Sequence, residues 1–144
     1  MPLRVLRSGV DAPQTTTEDI TAVIQVSGGL EGVVFYGFMR SSARSLLRTL
    51  MALGSDEDMV SDRFKNPDEL ANSAVGEVAN MISGNALTLL AKGGYTCTIS
   101  PPEILNPQGA KIESGGKPLL FVAFRSSIGP LYIRLRLDEV GTAA

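Results

Sequence analysis

The residues of this chain best suited to chemistry are a carboxylate and an amide, Glu77 and Asn80, three positions apart. On an α-helix, residues at i and i+3 are neighbours with Cβ atoms about 5–6 Å apart, so both side chains would meet the same approaching molecule. Gly84 falls on the same helix face, although glycine destabilises a helix interior by roughly 1 kcal/mol relative to alanine. Because folding gains nothing from this composition, we predict a face that another surface approaches closely.

Gly76 and Met81 flank this face, one on each side. Two plainer interpretations stay open at this point. A lone Glu-x-x-Asn pair occurs by chance in many proteins. Gly76 would also allow close packing by another helix of the same domain.

The composition excludes most of the machinery that hydrolases use. The 144 residues contain no histidine and one cysteine, Cys97. This removes Ser-His-Asp and Cys-His nucleophile systems, the common zinc sites and any internal disulfide. Any chemistry must therefore use carboxylates, amides, hydroxyls or the groups of a partner, and we expect no metal site.

Charge and hydropathy limit the class of partner. The net charge of −2 provides no basic field for nucleic acid or an anionic membrane. No apolar run approaches the ~18 residues of a membrane-spanning helix, and the first residues lack the apolar core of a signal peptide. We expect a cytoplasmic protein without nucleic-acid or membrane partners, and we predict that Arg134 and Arg136 lie on the solvated face of a strand.

A long helix must position the pair, and its boundaries are well marked over residues 66–92. Asn66 suits the N-cap, Pro67 suits the first helical position, and Gly93 follows Lys92 as a stop signal. At 1.5 Å per residue this helix is about 39 Å long. The apolar residues that fall within one arc predict its core face: Val75, Val78, Ala79, Ile82, Ala86, Leu89 and Leu90.

Further elements are predicted on both sides of this helix. Two β-rich runs around a glycine-rich link predict a hairpin over residues 20–26 and 32–39. Leucines at helical spacing predict a shorter helix over residues 41–53. The last strands are predicted at residues 95–100, 119–125 and 131–137.

The run from Glu77 to Ala86, EVANMISGNA, resembles the active helix of the CheC/CheX family of chemotaxis phosphatases. That family carries E-x-x-N on a helix, usually preceded by glycine and followed by M-hydrophobic-x-G-N-A. Residues 24–28, 32–34 and 99–102 resemble neighbouring family segments, and the resemblance covers roughly residues 15–138. One E-x-x-N helix is similar to CheX, since typical CheC members carry two such helices.

The resemblance and the predicted elements indicate an α+β fold. We expect residues 1–144 to form a single CheX-like domain, with a mostly antiparallel sheet of five to six strands covered by one long and one shorter helix. Family members usually begin with a helix before the first strand, and we expect that helix to be absent here. Members often form dimers through sheet edges, so a homodimer is also expected.

The resemblance implies hydrolysis of the aspartyl phosphate of a phosphorylated CheY-like response regulator. It assigns Asn80 to orienting the water and Glu77 to anchoring a lysine of the regulator. Gly76, Gly84 and Met81 would contact the partner. No cofactor of its own is implied, because the regulator would carry the Mg²⁺.

Two other functions compete with the phosphatase. The same face would also suit a non-catalytic module that binds a response regulator or a flagellar-switch component. An enzyme acting on a small molecule is disfavoured, because no glycine-rich phosphate loop, metal cluster or pair of coupled acids is visible in the sequence.

Overall fold

The computed structural model describes residues 4–11, 14–16, 19–52, 67–105, 111–113, 119–127 and 129–139. Its elements in chain order are β1 (Arg4–Asp11), β2 (Gln14–Thr16), β3 (Ile20–Gly28), β4 (Leu30–Phe38), α1 (Arg40–Ala52), α2 (Pro67–Lys92), β5 (Cys97–Ile99), β6 (Glu103–Leu105), β7 (Lys111–Glu113), β8 (Leu119–Ser126) and β9 (Gly129–Glu139).

One antiparallel sheet organises the fold. Its strand order is β1-β8-β9-β4-β3, and β5 and β6 both pair with the outer side of β3, at opposite ends of that strand. The sheet is therefore six strands wide, which confirms the predicted α+β fold with five to six strands. Strands β2 and β7 pair separately as a ribbon. The sequence did not predict β2, β6 or β7. Each has three residues and, unlike β5 within the β-rich residues 95–100, none stands in a longer β-rich run.

The main core lies between this sheet and the two helices. Alternate residues of the central strands point towards α1 and α2, as the period of two in a β-strand requires. The buried residues of β3 and β4 on this face are Ile20, Ala22, Ile24, Val26, Val34, Tyr36 and Phe38. Leu46 of α1 and Val75 of α2 pack against them. One long and one shorter helix therefore cover the same sheet face, as predicted.

Helix α2 begins and ends close to the predicted positions. Pro67 is its first residue, and Asn66, the predicted N-cap, lies outside the described residues. At the other end, Gly94 adopts a φ of 96°, its N–H donates to the Ala91 carbonyl at 3.1 Å, and the Tyr95 N–H donates to the Leu90 carbonyl at 2.9 Å. This pair of bonds is a Schellman motif, and it stops the helix where the glycines predicted.

The predicted core face of α2 is wrong at its C-terminal end. Ala86 is exposed and 67% of Leu89 is accessible to solvent, whereas both were expected in the core. The physical reason is length. The 26 residues of α2 span about 39 Å, while the nine residues of β3 span only about 30 Å. The last turns of α2 therefore extend past the residues that bury its first half.

The prediction that Arg134 lies on a solvated strand face is also wrong. Arg134 is 8% exposed, and its guanidinium carbon lies 4.9 Å from the centre of the Phe121 ring. The sheet face opposite the helices carries a second buried apolar cluster that includes Phe35 and Leu119. A guanidinium is accommodated there because it stacks on an aromatic ring while its alkyl stem packs on apolar side chains.

Neither described helix combines the length and the apolar character needed to span a membrane. That residues 1–144 form a single domain without the family's N-terminal helix stays a prediction.

Candidate functional site

The side of α2 that faces away from the core holds the carboxylate and amide pair. Glu77 and Asn80 are both exposed. They border an open groove of ≈ 530 Å³ between α2 and the segment that carries β6. Besides the pair, the groove is lined by Glu69, Asn72, Ser73, Gly76, Pro102 and Ile104. The structure therefore presents both predicted reactive groups to solvent, beside a recess.

Gly84 and Met81 lie on the same accessible side of the helix. Apart from the neighbouring backbone of α2, the described residues place no heavy atom within 4 Å of the position that a Cβ at Gly84 would take. Met81 is 57% exposed. Together with Glu77 and Asn80, these residues form a continuous strip, which we name the Glu77–Gly84 face. No contact within the described part of the chain requires a glycine at position 84.

Gly76 differs from the other predicted partner contacts because it is buried. A Cβ at Gly76 would lie 3.4 Å from Cγ of Pro102 and 3.7 Å from Cδ1 of Ile104. These are ordinary van der Waals separations. The segment before and within β6 packs beside Gly76, but a methyl group would fit there, so this packing does not require glycine. Any contribution to partner binding would come through the shape of the groove.

A second pair with the same spacing was missed in the sequence. Glu69 and Asn72 also form E-x-x-N on α2, and both line the groove. The spacing alone would have found them. The two pairs differ in accessibility, because the Oδ1 atom of Asn72 is buried and has no hydrogen-bond partner among the described residues, whereas Asn80 is exposed. An incoming molecule therefore meets the Asn80 amide without rearrangement of the helix.

Behind the exposed face, one buried hydrogen bond joins α2 to the centre of the sheet. The hydroxyls of Tyr36 on β4 and Ser83 on α2 are 2.7 Å apart. Burial raises the pKa of Tyr36 above its ordinary value of 10.0, and the hydrogen bond to Ser83 opposes this in part. The phenol is therefore neutral at physiological pH and available to donate or accept.

The chemistry available on the Glu77–Gly84 face is that of a carboxylate and a neutral amide. Within the described residues, no group of three cysteine, aspartate or glutamate side chains is placed to hold a metal ion. An amide offers both a donor and an acceptor, and a carboxylate offers acceptors for a cation. Such a face can orient a water molecule and bind a positively charged group.

Comparison with known families places this face in context. The family model of the chemotaxis phosphatase CheX matches residues 20–125. The chain belongs to the CheX family. The matched span contains both helices and most of the sheet, so the predicted resemblance is confirmed over the region that carries the Glu77–Gly84 face.

A curated relative shows the same affiliation. Over 97 residues the chain is 33% identical to the CheY-P phosphatase CheX of Thermotoga maritima. The match covers 67% of this chain and 57% of the relative, so the chain spans a little over half the length of that CheX.

Solved structures of CheX proteins share the fold. A CheX from Desulfovibrio desulfuricans is similar with a TM-score of 0.76 and 22% identity, covering 94% of this chain and 85% of the other. A CheX–CheY–BeF₃–Mg²⁺ complex from Borrelia burgdorferi is similar with a TM-score of 0.69 and 20% identity, covering 95% and 84%. At these identities the similarity establishes the fold.

Proposed function

We propose that this CheX-family chain hydrolyses the phosphoaspartate of a CheY-like response regulator. The observation that carries the proposal is the exposure of Glu77 and Asn80 together, beside the uncovered Gly84, on a helix within the family match. The Thermotoga relative is a CheY-P phosphatase, and the Borrelia CheX forms a complex with CheY, BeF₃ and Mg²⁺. Both support a phosphorylated regulator as the partner.

Hydrolysis of an acyl phosphate requires little from the enzyme except positioning. The oxygen of a water molecule bonds to phosphorus while the bond from phosphorus to the aspartyl oxygen breaks. The regulator recovers its carboxylate, and inorganic phosphate leaves with the protons of the water. Because this transfer depends mainly on alignment and charge stabilisation, a chain without histidine or a nucleophile of its own is sufficient.

Asn80 is the residue we assign to the water. Its amide donates and accepts hydrogen bonds without adding negative charge beside the phosphoryl group. Its exposure lets it enter the regulator's site directly. Mg²⁺ would be held by the regulator, and this chain would need no cofactor of its own.

Glu77 is assigned to binding and not to acid–base chemistry. A carboxylate aimed at the phosphoryl group would repel it, whereas a carboxylate aimed at a lysine beside that group would form a charge-assisted hydrogen bond. Glu77 and Asn80 are three residues apart on α2, so anchoring the first would also set the position of the second. Gly84 and Met81 would supply close approach and apolar contact with the regulator.

The test is phosphate release from an Mg²⁺-loaded CheY-like regulator that has been phosphorylated by a small phosphodonor. We expect wild type to accelerate release and Asn80→Ala to lower kcat by roughly 10²- to 10³-fold with little change in binding. Glu77→Ala should weaken binding of the regulator by roughly 10- to 100-fold, because it removes a hydrogen bond between charged groups.

Asn72→Ala is the matched control, because it removes an amide with the same spacing on the same helix. We expect it to retain activity, since its Oδ1 atom is buried. A loss equal to that of Asn80→Ala would show that the wrong pair was assigned. Wild type that binds the regulator and leaves its phosphate lifetime unchanged would instead identify a non-catalytic binding module.

A further inference from the structure

We infer that Tyr36 and Ser83 are positioning residues for the reaction proposed above, on which this inference rests. Their hydrogen bond fixes the rotation of α2 and thereby the direction in which Asn80 points. The bond joins the middle strand of the helix-covered sheet to the helix turn that follows Asn80. Tyr36 is 3% exposed and Ser83 is 5% exposed, so both residues are shielded from solvent.

The rest of the core-facing side of α2 is apolar and mostly small where it is fully buried. Its fully buried side chains before Asn80 are Ala71, Ala74, Val75 and Ala79. Three larger side chains, Leu70, Val78 and Ile82, pack against the same core but are only partly buried. A methyl group makes few interlocking contacts, and dispersion forces between such groups have little directional preference. Apolar packing therefore holds α2 against the sheet, and the directional hydrogen bond between Tyr36 and Ser83 adds a contact that selects one rotation.

Ser83 is the last buried residue of α2 among those described. In the following turns Ala86 and Leu89 are exposed, and Leu87 and Leu90 are partly buried. Asn80 thus lies between Ala79, the last of the buried alanines, and the directional bond at Ser83. Without that bond, the C-terminal half of the helix would have no buried polar contact to the sheet within the described residues.

The geometry sets the size of the effect. Side-chain tips lie about 5–6 Å from the axis of an α-helix, so a rotation of about 10° moves them by about 1 Å. A displacement of about 1 Å at a reacting group lowers a rate by up to about 100-fold. Because the lost bond leaves a distribution of rotations that includes the productive one, we expect about a 10-fold decrease in kcat.

Three variants separate positioning from stability. Tyr36→Phe leaves the buried Ser83 hydroxyl without its partner, and Ser83→Ala does the same to the Tyr36 hydroxyl. Both single variants should therefore lower the thermal midpoint. The double variant removes both hydroxyls and leaves no orphan polar group, so much of the lost stability should return. Positioning does not return, because no directional bond replaces the original one.

The experiment measures the thermal midpoint of each variant. It also measures kcat for release of phosphate from the phosphorylated regulator and the Kd of the regulator, both at a temperature well below every midpoint. We expect the double variant to bind the regulator as wild type does, to unfold near the wild-type midpoint and to keep a kcat about 10-fold lower. Ser42→Ala is the matched control, because Ser42 is buried in α1 and its hydroxyl has no hydrogen-bond partner among the described residues. It should leave kcat unchanged.

A double variant with the kcat of wild type overturns this inference alone, since the bond would then serve stability only. A decrease in kcat that follows the thermal midpoint, low in both single variants and restored in the double variant, overturns it as well. Wild type that fails to accelerate release overturns the proposed function, and this inference with it.

Discussion

Adding one methyl group at Gly84 should stabilise the isolated chain and impair its proposed activity. Among the described residues no heavy atom outside the adjacent helix backbone lies within 4 Å of the new Cβ, so Gly84→Ala introduces no clash. Alanine is favoured over glycine in a helix interior by roughly 0.8–1 kcal/mol. For a chain of this size the thermal midpoint should rise by roughly 2–4 °C.

The same methyl group should interfere with the regulator if the Glu77–Gly84 face is where the regulator docks. Forcing one extra methyl into a closely packed contact costs roughly 1–3 kcal/mol. That corresponds to a decrease in kcat/KM of roughly 5- to 100-fold. Stability and activity would then move in opposite directions, which a general disturbance of the fold does not produce.

Two measurements check this prediction: thermal unfolding of the chain alone, and phosphate release at several concentrations of regulator. Thr49→Ala is the matched control, because Thr49 is exposed on α1, outside the helix that carries the Glu77–Gly84 face, and its replacement also improves helix propensity. It should stabilise the chain and leave kcat/KM unchanged. If Gly84→Ala stabilises the chain and releases phosphate as fast as wild type, position 84 is not a docking contact, and our explanation of this glycine is refuted.

Met81→Ala should raise KM roughly 3- to 10-fold with unchanged stability, because Met81 is 57% exposed in the chain alone and would become buried on docking. Leu89→Ala, equally exposed but outside the face, should have no effect in the same assay. Arg134→Ala should lower the free energy of unfolding in denaturant by about 2 kcal/mol, since it removes a buried side chain stacked on an aromatic ring; Arg136→Ala, whose ion pair is half-exposed, should lower it by about 1 kcal/mol at most. Burial raises the pKa of Tyr36 in the folded chain, so on raising the pH this phenol ionises first in the unfolded chain. The stability that the neutral phenol contributes is complete below pH 10.0 and is lost as the pH rises through the folded pKa. Denaturant midpoints above about pH 10 should therefore fall less steeply for Tyr36→Phe than for wild type. A homodimer is expected through a sheet edge, and the sheet has β1 at one edge and β5 and β6 at the other. A monomer in sedimentation at micromolar concentration would contradict this expectation.

The sequence was sufficient to predict the elements whose signals are local. Helix α2 has a proline at its first position and glycines after its last, and those residue types act within one turn of the helix end. The sequence of strand β9 alternates over residues 131–137, LYIRLRL, which is long enough to predict a strand. Glu77 and Asn80 were found because i, i+3 spacing fixes their relation whatever the rest of the fold does.

The sequence failed where a residue's role depends on what another element brings to it. Leu89 fits the apolar stripe of α2, but whether it is buried depends on where the sheet ends beneath the helix. Arg134 occupies a polar position in an alternating strand, which is typical of a surface residue. In the structure its guanidinium stacks on the ring of Phe121 from the neighbouring strand. The bond between Tyr36 and Ser83 joins residues 47 positions apart, and no local pattern indicates it.

The proposed function gives a reason for the residues of α2 that weaken an isolated helix. A catalyst for an acyl phosphate needs no strong base, because the substrate is reactive and the partner would supply the metal ion and the lysine. What it must supply is a small group held at one position on a surface that a folded partner can reach. In the proposed reaction, glycine at position 84 would give the partner access, and the exposed amide of Asn80 would orient the water without adding charge. The buried bond between Ser83 and Tyr36 would hold both residues in position. Each feature is unfavourable or neutral for the helix alone. Together they are consistent with a helix that binds a partner on its exposed side and is fixed to the sheet on its buried side.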